Sequence, residues 1–308
     1  MKTSYKEEDV IILLKDITGE LQPFPIAERE KQIQQGVPSS EMLLLEYQPS
    51  KAYMALYQQV LSKYSRKTAY AIIQLADKIL SKKGKDVTLV SLAGTGTPIG
   101  ILLKRYILKK YDINVPHYTV SFISSKGIDH NAMQYILGKH KPETIQLVDG
   151  WTKEHNPSNE LAVLTDPAHL TSLYGTREDF LIPSACLGSI VSGLFSKTVL
   201  NSEVISKEDF HGAAYFAYLE DKDVSYQFIE SIEKYFDDPE PIEELSNSII
   251  SHSVNEILRC LLYTSPTKIS VQSLSDTQYI EPILQLAKDK NIPIKERPLQ
   301  NDRVCVIP

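Results

Sequence analysis

The run Asp86-Val-Thr-Leu-Val-Ser-Leu-Ala-Gly-Thr-Gly-Thr-Pro-Ile-Gly-Ile-Leu-Leu-Lys-Arg-Tyr106 decides the fold. Val87 to Leu92 is a short apolar stretch of strand length, and the residues after Pro98 carry a helical apolar pattern. Between them lies a loop of small residues, Ala93, Gly94, Thr95, Gly96 and Thr97. Such a strand–loop–helix leaves backbone N–H groups free at a helix N-terminus, where an anion is favoured. Gly94 and Gly96 permit the positive φ and close approach that a phosphate cradle needs. Pro98 suits a first helical position, which has no use for an N–H. The loop is not a P-loop, because Thr97-Pro98 stands where a Lys-Ser/Thr pair is required. Nor is it GxGxxG, because Gly94, Gly96 and Gly100 are spaced two and four apart. The bland alternative is an ordinary tight turn between strand and helix.

Outward from this run, strands and helices alternate. Toward the C-terminus, Pro98 to about Tyr111 reads as a helix, Tyr118–Ile123 as a strand, Asn131–Leu137 as a helix capped near Asp129, and Thr144–Val148 as a strand. Asn159–Leu164 adds a further strand-like run. This succession predicts a parallel α/β sheet, with ligands at the carboxyl ends of its strands. Toward the N-terminus, two helices are expected, about Ser50 to Tyr64 and Thr68 to Ser81, after a mixed opening that holds a short strand or turn at Val10–Leu14. Pro183 to Lys197 is rich in small residues, and a helix is expected over Ser225 to Phe236. An acidic, proline-containing stretch over Asp237–Glu244 reads as a linker. Beyond it come a helix at Ser246–Leu262, a strand at Lys268–Leu274, a helix at Thr277–Asp289 and two short strands, Pro293–Glu296 and Arg303–Ile307. The expected division is therefore 1–240 and 247–308.

Composition bounds the function. The chain has 308 residues, a net charge of −6 and 42% hydrophobic residues, the profile of a globular protein rather than a generic polyanion binder. It has no apolar run of membrane-spanning length and no signal-peptide core near Met1. Cys186, Cys260 and Cys305 form neither a zinc pattern nor a disulfide framework. A cytoplasmic protein that engages no membrane is expected.

Several motifs carry a resemblance. They are Ser40-Glu-Met-Leu43, Ser91 to Gly100 with Leu103-Lys-Arg-Tyr106, His117-Tyr-Thr-Val-Ser121, Lys126-Gly-Ile-Asp-His-Asn-Ala132, Val148-Asp-Gly-Trp-Thr152, Tyr174 to Cys186, Val191-Ser-Gly193 and Asp209-Phe-His-Gly-Ala213. Together they resemble the phosphoribosyltransferase-like proteins of tellurium-resistance (stress-response) gene clusters, a family also described as cysteine protease StiP. The resemblance implies a Rossmann-like, phosphoribosyltransferase-like α/β domain with helical N-terminal additions and a small C-terminal α/β domain. That last part resembles a Pelota-like RNA-binding domain, so RNA is an expected partner. Its cations, such as Lys268, Lys290 and Arg303, are nearly cancelled by acids such as Glu281 and Asp302.

The resemblance also implies site roles. Ala93, Gly94, Thr95, Gly96 and Thr97 would hold the pyrophosphate of phosphoribosyl pyrophosphate or a related nucleotide. Asp149 would bind ribose hydroxyls, directly or through Mg²⁺, and charge stabilisation would drive a transferase reaction. Lys126, Asp129, Thr152 and Arg177 are further candidate ligand contacts; a helix cap is the alternative for Asp129 and a structural ion pair for Arg177. Where the family carries Arg, this chain has Gly94, which removes a fork of donors matched to phosphate. The protease reading instead makes Cys186 the nucleophile, His211 its base, and Asp209 or Asn201 the orienting group. Its alternative is a buried small thiol at Cys186. A third reading is a non-catalytic sensor of nucleotide or RNA. The sequence does not fix an oligomeric state.

Overall fold

The computed structural model describes residues 1–152, 160–243, 249–250, 252–275, 277–299 and 302–307. In chain order its elements begin with β1 (Ile11–Leu13), β2 (Lys15–Asp16), α1 (Ile26–Gln34), α2 (Lys51–Lys83), β3 (Thr88–Leu92) and α3 (Gly96–Tyr111). There follow β4 (His117–Val120), β5 (Phe122–Ile123), β6 (Gly127–Ile128), α4 (His130–Leu137), β7 (Ile145–Trp151), β8 (Ala162–Thr165), β9 (Leu173–Thr176) and β10 (Gly212–Ala213). The remainder is α5 (Ser225–Glu233), α6 (Val254–Tyr263), β11 (Lys268–Val271), α7 (Thr277–Asp289), β12 (Ile294–Glu296) and β13 (Val304–Ile307).

Six strands form one parallel sheet in the order β1-β4-β3-β7-β8-β9. Both faces of the central strands are covered, so β3, β4 and β8 are buried along their whole length, polar residues such as Thr88, Ser91 and Thr119 included. Leu89 of β3 and Ala162 and Leu164 of β8 face the core shared with α2 and α3. Val90, Leu92 and Val163 point the other way, toward Ala132 and Ile136 of α4. The chain moves from β3 to β4 on one side and then returns to β7 on the other. The strand order therefore reverses between β3 and β7, and a crevice opens above their carboxyl ends.

The two helices expected before β3 are one. α2 runs unbroken from its Ser50 cap, whose side chain accepts the Tyr53 N–H, to Gly84 at φ +79°. At the expected gap, Ser65 and Thr68 donate their hydroxyls to the carbonyls of Leu61 and Tyr64. Those hydroxyls are satisfied inside the helix, so the apolar face continues through Ala69 and Ile72. α3 likewise starts earlier than expected, at Gly96, which makes Pro98 its third residue. The strand expected over Asn159–Leu164 begins at Ala162, one further strand of the large sheet follows from Leu173, and the helix expected from Ser246 begins at Val254. Residues 244–248, where the boundary near Asn247 was placed, lie outside the described residues.

The C-terminal part builds its own small sheet. β11 pairs in parallel with β12 and antiparallel with β13, and α6 and α7 pack together beside it. The chain is thus a mixed α/β fold with a six-stranded parallel sheet and a small C-terminal sheet unit, as expected. α6 also leaves that unit to pack on the single turn Pro183–Cys186 of the large one.

Candidate functional site

A cleft of about 380 Å³ opens at the β3/β7 crevice. Its floor is the loop Ala93-Gly94-Thr95 and the end of β7 at Trp151. One wall is the segment from Ser189 to Thr198, and Arg29 of α1 reaches in from the N-terminal side. The remaining wall is α6, through Glu256, Arg259, Cys260 and Tyr263. Gly94 has φ +93°, a conformation that side chains with a Cβ rarely take, so the loop turns sharply under the cleft.

Three cations converge there. Arg259 donates through Nη1 to the Leu187 carbonyl at 2.8 Å, and its Nη2 lies 3.7 Å from where a Cβ on Gly94 would stand. The guanidinium thus fills, from α6, the space left by the missing side chain of the loop. Lys197 places Nζ 3.7 Å from the Tyr263 ring centroid and turns its surface to the cleft. Lys197 keeps an exposed side, and partial desolvation with the nearby Arg259 and Arg29 lowers its amine from the usual range. Arg29 donates to the Ser39 carbonyl at 3.2 Å, while its Nε is buried without a hydrogen-bond partner. Among the described residues, none of the three pairs with a carboxylate within 4.0 Å. The carboxylate on the cleft wall, Glu256, accepts the Trp151 indole N–H at 2.7 Å. Glu46, deeper in, accepts the Ser189 N–H at 2.9 Å, and burial raises its pKa.

The residues singled out in the sequence scatter. Ala93, Gly94 and Thr95 line the cleft; Gly96 and Thr97 are buried in the first turn of α3. Asp149 is buried, and its Oδ1 accepts from the Thr95 hydroxyl and, at 2.7 Å, from the Gly150 N–H. It ties the loop to β7 and does not line the cleft. Among the described residues no three His, Cys, Asp or Glu side chains gather as a metal set.

Thr152 and Arg177 both serve buried Asp166. The Thr152 hydroxyl donates to Oδ1 at 2.8 Å, and the Arg177 guanidinium pairs with Oδ2 while stacking on Tyr174. Arg177 is thus a structural partner and not a free anion contact. Lys126 is exposed in the turn between β5 and β6, away from the cleft lining. Asp129 caps α4 by accepting the Ala132 N–H, and its other oxygen accepts the His211 backbone N–H.

The protease constellation is not assembled either. Cys186 is fully buried under α2; its carbonyl accepts the Tyr53 hydroxyl at 2.9 Å, and burial drives the thiol far above its usual pKa. His211 instead shares a 2.8 Å hydrogen bond with the Ser121 hydroxyl. Asp209 pairs with Lys15, and Asn201 donates to the Glu41 carbonyl. Cys260 is half-buried on the cleft wall, where its thiol meets the Thr264 hydroxyl at 3.4 Å. Sequence reading passed over Arg29, Lys197 and Arg259. The one signal available was a lone Lys closing the small-residue run from Pro183, and nothing in the sequence ties these positions together.

Comparison with known proteins adds what the geometry lacks. The family described as tellurite-like stress resistance cysteine protease StiP matches residues 3–233. A protein of Acinetobacter baylyi named cysteine protease StiP is 31% identical over 255 residues, covering 74% of this chain and 66% of its own length. The match therefore spans just under two thirds of that relative. No solved structure matches. Both descriptions name a protease and neither names a transferase, which overturns the phosphoribosyl-transfer expectation. The displaced chemistry agrees: Gly94, the inward-tied Asp149 and the occupied Arg177 leave the implied ligand contacts without their charges.

Proposed function

This chain belongs to the family of tellurite-like stress resistance cysteine proteases, StiP, and on that ground we propose that it is a cysteine peptidase acting in stress resistance, with Cys186 as nucleophile. The observation that carries the assignment is positional: of the three cysteines, Cys186 alone falls within the matched residues 3–233. In the reaction, its sulfur would attack a peptide carbonyl carbon and form an acyl-enzyme. The amine would leave with a proton, and water would then release the acid and restore the thiol.

The conformation described above is a resting one. A thiolate is the attacking species, and a thiol so deeply buried holds its proton at neutral pH. Tyr53 holds the Cys186 carbonyl; Asn255 accepts the Ile182 N–H and donates to the Phe180 carbonyl; Arg259 holds Leu187. Activity therefore requires this segment to lift and present the sulfur. A second reading puts the chemistry at Cys260, favoured by its place on the cleft wall.

The test is cleavage of an unfolded polypeptide by purified protein, with and without thiol alkylation, in Cys186→Ser and Cys260→Ser variants. Loss of about a hundredfold or more in Cys186→Ser, with activity kept in Cys260→Ser, is expected. The reverse pattern selects Cys260, and cleavage that survives both substitutions removes the thiol mechanism altogether.

A further inference from the structure

We propose that the C-terminal unit is an inhibitory latch: through α6 and the approach to β13 it holds the Cys186 segment shut, and its withdrawal exposes the thiol. The proposal rests on the reading of Cys186 as nucleophile.

The first support is where the segment finds its hydrogen bonds. Between β9 and β10 the backbone near Cys186 makes only single turns, Pro183–Cys186 and Ser189–Val191. Buried backbone groups outside a helix or ladder need partners from elsewhere. The C-terminal unit supplies them from Glu178 to Leu187. Arg303 donates to the Asp179 carbonyl at 2.8 Å and lies 3.7 Å from the Glu178 carboxylate. The buried Asp179 carboxylate accepts the Ser253 hydroxyl at 2.6 Å and the Val254 N–H at 3.2 Å. It thus meets the N-terminus of α6, where a negative charge is favoured. Asn255 accepts the Ile182 N–H and donates to the Phe180 carbonyl, and Arg259 holds the Leu187 carbonyl. Ser253, Asn255, Arg259 and Arg303 all lie beyond the residues 3–233 that match the family.

The second support is that these groups ride on one body. Asp302, next to Arg303, accepts the His252 N–H at 3.1 Å and pairs with the His252 ring at 2.9 Å. That bond ties the approach to β13 to the start of α6. α6 also packs on α7 and on β13. A shift of this unit therefore breaks the clasp as a set.

The third support is what the clasp covers. The Pro183–Cys186 turn packs on α2 as well as on α6, and Tyr53 of α2 holds the Cys186 carbonyl. With both helices in place Cys186 has no exposed surface. With α6 withdrawn, the Phe180, Ile182 and Leu187 backbone groups exchange their partners for water, and the turn is held from one side only. A segment with so few bonds left opens by local rather than global unfolding.

The experiment uses the full chain and two variants remote from the sulfur, Arg303→Met and the milder Ser253→Ala. Glu281→Ala, on an exposed position of α7, is the control. Alkylation of Cys186 by iodoacetamide is followed by mass spectrometry, and cleavage of an unfolded polypeptide is followed beside it. Arg303→Met is expected to raise both rates about tenfold, Ser253→Ala to raise both by less, and Glu281→Ala to change neither. Alkylation at the wild-type rate in both variants would overturn the latch. So would faster alkylation with no gain in Cys186-dependent cleavage, since the clasp would then cover the thiol without restraining activity. If cleavage does not depend on Cys186 in any chain, the nucleophile assignment falls, and the alkylation rates alone decide whether the clasp covers the thiol.

Discussion

Arg177 shows how a single residue misleads. In sequence it stands among Glu178 and Asp179 at the foot of an apolar run, a pattern equally fit for ligand or ion pair. Its partner Asp166 is fully buried and also accepts the Leu170 and Thr171 N–H groups, so the guanidinium balances a charge that cannot reach water. Arg177→Ala should cost about 3–5 kcal/mol, because it leaves that charge buried and uncompensated, and urea unfolding will measure it. Two other buried groups set the acid limb of stability. Burial lowers the His117 pKa to about 4, so between that value and 6.5 the unfolded chain binds the extra proton and stability falls as pH falls. Burial raises the Asp179 pKa to about 6, so between 3.8 and 6 the folded chain binds the extra proton and this group opposes the trend. Asp179→Asn removes the opposition. Its unfolding midpoint in urea should drop more steeply from pH 6 to pH 4.5 than that of the wild type; an unchanged slope would refute this balance. None of the three environments is readable locally, since each is made by burial under segments distant in sequence.

At the scale of elements, periodicity carried most of the information. β3, α4 and α7 stand close to where apolar spacing and caps put them, because each is bounded by residues that act locally, such as Asp129 at the start of α4. α2 was misread because Ser65-Arg-Lys67 looks like a break, whereas Ser65 and Thr68 close their hydrogen bonds within the helix. The contact of α6 with the Pro183–Cys186 turn was invisible for another reason: it joins two units that the sequence presents as separate. That contact makes a prediction. Asn255→Ala removes the bonds to Ile182 and Phe180, so iodoacetamide should modify Cys186 about tenfold faster, with Cys260 unaffected as an internal reference. Equal rates in variant and wild type would mean that α6 does not restrain the segment.

For the whole molecule, the alternation of strands and helices pointed to the carboxyl ends of the strands, and the reversal of strand order between β3 and β7 opens a crevice there. What fills its walls could not be foreseen. The loop supplies no charge at Gly94, and the charge comes instead from a helix beyond residue 233, where the family likeness ends. Arg259 reaches the crevice with one nitrogen and the backbone beside Cys186 with another. A single side chain is therefore a shared lever between a concave surface and a hidden sulfur. Whatever draws the guanidinium toward the crevice must loosen or tighten its hold on Leu187, and by thermodynamic reciprocity the sulfur's emergence must change the crevice's grip by the same factor. Arg259→Gln, which removes the hold on Leu187, should then change the rate at which iodoacetamide reaches Cys186. The two halves of the chain would in that case speak to each other through one planar group.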